Sequence, residues 1–511
     1  MTAPERIPVI VGIGEIKDRP ADPAEGLEPL ALMHEALRRA EADAGAGLLA
    51  RLDGLDVVNS VSWAYPDLLA ALLARTGLAP RHAFYGPVGG ETPVRFLHVA
   101  AERIARGESQ VAAVVGAEAQ HTAAAAQRRG IELPWTPREP NPQPRSRSYL
   151  HELARRHGID MPIRGYPLYE NATQAGWGQT PAEGNAESAR VWAAYAAVAA
   201  TNPDSWLPRA FTPEQIATPS PDNRMIAWPY PKLMTANPLV NQGAAVILTS
   251  LAVARAMGIA EARCIPVRGG AAANEPKDYL SRDQFRHAHA QDVVLEAALE
   301  MAGGDVSRFA HREFYSCFPC VPKMARRKLG LPESATPTVA GGLTFHGAPL
   351  NNYMLHAACG MVRALRQDLG ALGLLYGQGG FVTNHRTLVL GGEADGTLVS
   401  RDLQAMADAR RGPAPAIVEG RTGEAEVETH TVVFRTDGTP EYGAVVLRLA
   451  DGARTMARVP AEDAATLDVL MAAGASAVGR VGRLSAGALQ RWEAYTNPHG
   501  SVPMRPIAHS D

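Results

Sequence analysis

The sequence predicts an α/β protein in which one strand-and-helix unit is used twice, followed by a small, mostly β module. Three observations carry this expectation. Short apolar runs such as Val111-Ala-Ala-Val-Val-Gly116 alternate with longer stretches of helical spacing, a pattern that calls for a mixed or parallel sheet covered on both faces. The alternation starts again near Cys264, after a proline-rich interruption. Beyond about Glu393 the helical spacing gives way to alternating strands separated by Asp-Gly turns.

Ile7 to Gly14 is an apolar run ending in glycines and suits a buried first strand. Leu30 to Ala42 follows with helical spacing, and Leu55 to Ser60 reads as a second strand. In Thr92 to Arg106 the residues Val94, Leu97, Ala101 and Ile104 share one helical face, and Gly107 ends the helix before the strand Val111–Gly116. Pro134, Pro137, Pro140, Pro142 and Pro144 then break the pattern. The segment of about 120–235 reads as a lid or loop insertion with a helix at Ala186 to Ala199 and a small core of its own. The pattern resumes with a strand at Gly243–Leu248 and a helix at Leu251–Met257. The second cycle comprises Cys264–Gly270, a helix at Asp292–Ala302, Glu313–Cys320, a helix at Asn352–Leu369, Leu372–Gly377 and Phe381–Gly391. Residues 1–260 and 261–394 thus form two halves. Arg410-Arg-Gly-Pro-Ala-Pro-Ala416 reads as a separable linker to a β domain at 417–511, whose strands Val427–Phe434 and Tyr442–Leu449 are bounded by Asp437-Gly438 and Asp451-Gly452.

Composition narrows the class of function. The 511 residues are 46% hydrophobic and 20% charged, with a net charge of -3 and no basic stripe, so neither nucleic acid nor a membrane surface is an expected partner. The start carries no charged segment, apolar run and cleavage site of the secretory kind, and no apolar stretch is long enough to span a bilayer; a cytoplasmic protein is expected. Four cysteines at uneven spacing do not make a disulfide scaffold.

Four motifs, in order, resemble those of the thiolase superfamily. Gly89-Gly-Glu-Thr-Pro through Val114-Val-Gly-Ala-Glu118 resembles the nucleophile helix and its following strand. Glu313-Phe-Tyr-Ser-Cys-Phe-Pro stands where thiolases carry Asn-Glu-Ala-Phe, or His-Asp-Cys-Phe in the sterol-carrier-protein type. Ala340–Pro349 resembles the Gly-Gly stretch that ends in Gly-His-Pro, and Gly377-Gln-Gly-Gly380 the final glycine-rich turn. Thr218–Met225, Tyr230-Pro-Lys232 and Asn237 are similar to thiolase-like proteins of type 1, which also carry an extra C-terminal β domain. The resemblance implies a duplicated five-layered thiolase fold with an added C-terminal, mostly β and OB-like domain. It further implies acetyl-CoA acetyltransferase-like chemistry on a coenzyme A thioester as substrate, no covalently bound cofactor, and a monomer or homodimer.

The departures from the family pattern matter as much. The nucleophilic cysteine falls on Gly90, the Gly-His-Pro histidine on Ala348, the last catalytic cysteine near Leu375 or Tyr376, and the oxyanion-hole residue on Tyr315. Thiolysis needs a thiolate to carry the acyl group and an imidazole to activate it, and glycine does neither. The expected function is therefore C–C bond formation or cleavage on an acyl-CoA, as an acyltransferase or a retro-aldol or retro-Claisen lyase, without an acyl-cysteine; the alternative is a non-catalytic CoA-ester binding protein. Aldol cleavage requires only a base and a polarised carbonyl. The candidate catalytic residues are Tyr315, as donor to the thioester carbonyl, with Asn351, Asn352, His346 and Cys317 around it.

Other motifs read as structural. Cys317-Phe-Pro-Cys320 lacks a second ligand pair at zinc-like spacing and is expected to be a core cysteine pair. Gly12-Ile-Gly-Glu-Ile-Lys17 lacks the third glycine of a dinucleotide fingerprint. Asn351 as a helix cap and His356 as a buried helix residue are the plain alternatives for that cluster, and His287-Ala-His289 reads as a solvated pair. No metal site is expected.

Overall fold

A computed structural model describes residues 3–140, 142, 148–394 and 396–495. The first half contributes β1 (Pro8–Lys17), β2 (Gly54–Val57), β3 (His82–Tyr85), β4 (Val111–Ala119) and, after an insertion with the hairpin β5 (Met225–Ala227) and β6 (Tyr230–Pro231), β7 (Asn241–Ser250). The second half contributes β8 (Ile265–Asn274), β9 (Phe309–Phe314), β10 (Leu372–Gly379) and β11 (Asn384–Gly391), with β12 (Val399–Asp402) beside β8.

The repetition expected from the sequence is visible in the pairing. In the order β3-β2-β4-β7-β1, β2 and β4 are parallel while β4–β7 and β7–β1 are antiparallel. In the order β9-β10-β11-β8, β9 and β10 are parallel while β10–β11 and β11–β8 are antiparallel. The halves join where Val9 and Ile10 of β1 meet Pro266 and Ile265 of β8.

Strands buried on both faces explain the apolar runs. Val111, Ala113 and Val115 point to a core under the outer helix Pro29–Ala44, while Ala112 and Val114 point to the central layer. That layer contains the helices Thr92–Arg106 and Tyr353–Gln367, which touch each other and strands of both halves. On the far side the helix His289–Met301 covers β8 and β11. Helix, sheet, helices, sheet and helix make the five layers.

The insertion differs from expectation in one respect: its described residues form no separate core. Its helices Pro162–Gly176 and Pro181–Thr201 bury Tyr166, Tyr169, Trp192 and Tyr195 in the main core. Lys323, on the helix Cys320–Lys328, is fully buried and bonded to Glu170, with Ser188 and a main-chain carbonyl as further partners. Glu170 also accepts from Tyr230 and Gln174.

The C-terminal strands are β13 (Gly423–Phe434), β14 (Pro440–Arg448), β15 (Arg454–Pro460), β16 (Val481–Ser485) and β17 (Arg491–Ala494). They pair in the order β14-β15-β17-β16-β13, and β13 returns to β14 to close a barrel. Only β15–β17 is parallel, and the helix Ala464–Leu470 fills the connection between the third and fourth strands. This five-stranded closed arrangement is OB-like. Val427, Val445, Leu447, Val459, Leu484 and Trp492 fill it. Gly438 and Gly452 take the positive φ values, 86° and 82°, that their hairpin turns demand.

The segment read as a separable linker is tied down at its start. Arg410 pairs with Glu296, Arg411 with the buried Glu275, and the Gly412 N–H donates to Asp283. Arg454 of the barrel is wholly buried, bonding Glu428 and the carbonyls of Leu280 and Arg282 in the second half. Lid and barrel also share a sheet, since Ala227 of β5 pairs with Val433 of β13.

Candidate functional site

The helix Thr92–Arg106 begins at the residue pair Gly90-Glu91, directed into the interface between the halves. A Cβ added at Gly90 would fall inside contact distance of the Tyr315 hydroxyl and 2.8 Å from the Gln378 carbonyl oxygen. The phenol therefore fills the volume that a side chain at the nucleophile position would occupy. Tyr315 arrives from the end of β9, its N–H donating to the Tyr376 carbonyl of neighbouring β10. Burial, with the Cys317 thiol and the Glu91 carboxylate nearby, pushes its hydroxyl well above the usual phenol range, so it is a neutral donor.

Glu91, which sequence reasoning passed over, lies beside the same point. Its carboxylate is buried against the glycine-rich turn, where Gly89 and Gly379 leave room for it. Asn384 donates to Oε1 at 2.9 Å, and Oε2 has no hydrogen-bond partner. Burial raises its pKa, opposed by the charges of Arg386 and Arg95 and by the Asn384 hydrogen bond. A carboxylate that is destabilised as an anion and has an open oxygen can accept a proton. The only sequence signal was its place after the nucleophile position.

The other candidates divide into two groups. Cys317 sits beside Tyr315, 3.6 Å from Gln378 Oε1, which also accepts from Tyr166 of the lid. Burial pushes the Cys317 thiol up to about 12, so it stays a thiol; Cys317 and Cys320 are both buried and unbonded to each other. Asn351 buttresses the turn before Gly90: its Oδ1 accepts from the Gly89 N–H at 3.0 Å and its Nδ2 donates to the Asn59 carbonyl at 2.9 Å. It makes no cap of the following helix, whose N-cap position is Asn352 without a capping bond. Asn352 donates to the Gly116 carbonyl at 2.7 Å and leaves Oδ1 unpartnered. Each asparagine retains a second N–H.

His346 stands apart, with the Tyr353 ring between it and Tyr315: the ring centroids lie 6.0 and 6.2 Å from that of Tyr353. His356 is buried on the helix Tyr353–Gln367, 2.6 Å from Glu15. Glu313, burial-shifted up to about 7, accepts from Tyr353, Thr338 and the Val339 and Ala340 N–H groups, which fixes the loop leading to His346. Ala348 is buried and offers no side-chain chemistry. The His287–His289 pair is only half solvated, as His289 is buried against Asp283 at 3.0 Å.

Among the described residues no helix is long and apolar enough to cross a membrane. The family model for the thiolase-like protein type 1 additional C-terminal domain matches residues 402–487. The monomeric SCP2-thiolase like protein type 1 of Mycobacterium smegmatis is 29% identical with a TM-score of 0.82, the alignment covering 97% of this chain and 100% of that one. The Ltp2-ChsH2(DUF35) aldolase is 18% identical with a TM-score of 0.58, covering 76% of this chain and 99% of its own. The dimeric peroxisomal thiolase of Saccharomyces cerevisiae is 14% identical with a TM-score of 0.55, covering 77% and 99%. No curated protein sequence matches.

Two repeated halves around a central helix layer, with the Gly90 turn packed directly against the glycine-rich turn of the second half, define a protein of the thiolase fold. The chain carries the additional C-terminal domain of thiolase-like proteins of type 1, and over its length it is similar to a protein of that type.

Proposed function

We propose that this protein binds an acyl-CoA thioester and makes or breaks a C–C bond next to it without an acyl-enzyme. The observation that carries the proposal is the phenol of Tyr315 filling the space above Gly90. Where a thiolase presents a thiol, this chain presents a neutral hydroxyl donor. In this reading Tyr315 polarises the thioester carbonyl, Glu91 exchanges the proton, and Asn351 holds the turn between them, with Asn352 beneath. Such a pair supports aldol or Claisen chemistry and cannot support ping-pong thiolysis. An aldolase among the fold relatives supports the reading, because this fold accommodates that chemistry elsewhere.

The test is Tyr315→Phe, which keeps the ring and its packing. Removing one oxyanion donor costs roughly 100- to 1000-fold in turnover. Turnover of the best-binding CoA ester should fall by that order, while calorimetric affinity for the ester changes little. An unchanged rate removes Tyr315 from the chemistry. If the wild type turns over no CoA ester yet binds one, the emptied positions at Gly90 and Ala348 decide for a binding protein.

A further inference from the structure

A second polar cluster lies in the central layer, on the far side of Tyr353 from Tyr315. Glu15 belongs to β1, at the register position opposite Ala244. His346 ends the helical turn Gly342–His346, and His356 is on the helix Tyr353–Gln367. All three are buried, His346 completely and His356 to all but 1%. His356 Nδ1 is 2.6 Å and His346 Nε2 4.0 Å from the same carboxylate oxygen, Glu15 Oε1, and one ligand atom from each residue lies within 4.8 Å of the others. His346 Nε2 has no hydrogen-bond partner there, and His356 Nε2 has none on its other side.

We infer that Glu15, His346 and His356 form a binding site for one divalent first-row transition ion of the zinc class. Two imidazoles and a carboxylate are the donor set of many zinc sites, with a fourth position left to water. Ligand atoms around a tetrahedral ion with bonds of about 2.0–2.1 Å are about 3.3 Å apart. The distances of 2.6 and 4.0 Å straddle that value, so the ion takes the place of the shared proton and draws His346 in. The Ser205 hydroxyl, 3.4 Å from His346 Nδ1, can accept the N–H that this nitrogen carries when Nε2 is the ligand, and Asn202 Nδ2 lies 3.3 Å from the same nitrogen.

Arg363 marks the entry path. It pairs with the other oxygen, Glu15 Oε2, yet its side chain is 45% exposed, so the cluster lies one side chain below the surface. Asp204, half-buried in the field of Glu15, His356 and Arg363, adds a second carboxylate at that edge. An ion displaces Arg363 and leaves three ligands in place.

The test uses the full chain, stripped with a chelator and titrated with Co2+ as a spectroscopic stand-in for zinc, then with Zn2+ in competition. One Co2+ per chain with the visible bands of a tetrahedral site, displaced by Zn2+, is expected. His346→Gln should weaken uptake by more than about 100-fold, whereas His289→Gln, at the other histidine pair, should leave it unchanged. Arg363→Ala keeps all three ligands and removes the competing cation, so it should tighten binding severalfold even if His346→Gln fails to fold. No uptake at a tenfold excess, uptake that follows His289, or an affinity indifferent to Arg363→Ala overturns the inference.

Discussion

At the scale of single residues, the site is built by a pair of exchanges that only make sense together. Gly90 admits the Tyr315 hydroxyl, and Tyr315 fills what Gly90 vacates. The exchanges themselves were legible, because motif order placed both residues at catalytic positions. Their contact was not, since nothing in a linear pattern says that two such positions meet across a sheet edge. The same limit hid Glu91, whose open oxygen exists only because Gly89 and Gly379 leave it space, and Glu15, which lies 341 residues from His356 in the chain. The coupling is measurable. Gly90→Cys should destabilise the chain by about 1–3 kcal/mol through overpacking. In a Tyr315→Asn background, which restores a residue that thiolases carry there, the penalty should shrink by at least about 1 kcal/mol in a denaturant-melt cycle. Some penalty should remain, because the Gln378 carbonyl also crowds the new Cβ. Strict additivity would mean that the two side chains do not compete for one volume.

Elements were read well where burial on both faces produced apolar runs, and poorly where tertiary partners decide the structure. The helix Thr92–Arg106 matches the expected bounds, since its apolar stripe, its proline near the start and Gly107 at its end are all local signals. The strand expected to begin at Phe381 begins at Asn384, because Phe381, Val382 and Thr383 are taken up by the glycine-rich turn: Phe381 and Val382 face Tyr169 and Tyr166, and the Phe381 N–H bonds Thr383. The way the lid is fastened to the main core was not legible, because its polar residues gave no hint of their partners. Glu170 and Lys323 are both fully buried and meet only in the fold. Removing one partner of a buried pair strands the other charge, at a cost of about 3–5 kcal/mol. Lys323→Met should therefore lower the melting temperature strongly, and Lys323→Met with Glu170→Gln should recover part of the loss. A single variant that melts like wild type would show that the pair does not fasten the lid.

Across the whole molecule, buried neutral histidines set the response to acid. Burial lowers His430, in the barrel, and His385, in the second half, to about 3. The unfolded chain takes up protons at these side chains below about 6.5, and the folded chain does not until about 3. The stability that these two histidines contribute is thus fully present above about 6.5 and is lost progressively as the pH falls from there toward 3. Thermal melts between pH 7 and 5 should show this slope, and His430→Leu should make it shallower; an unaltered slope would put the acid response elsewhere.

The shared sheet between lid and barrel has a consequence for how such a chain can be shortened. β5 ends on β13 through the pair Ala227–Val433, with the Trp228 N–H donating to the Val432 carbonyl. A chain cut back before β13 would keep a two-stranded ribbon with a bare, hydrogen-bond-hungry margin and would uncover the lid helix at Leu168 and Asn171, which now bond Thr429 and His430 of the barrel. Margins of that kind recruit other chains. The additional domain is accordingly part of the fold and not an appendage: it covers a strand margin and a lid surface that a chain ending before β13 would expose.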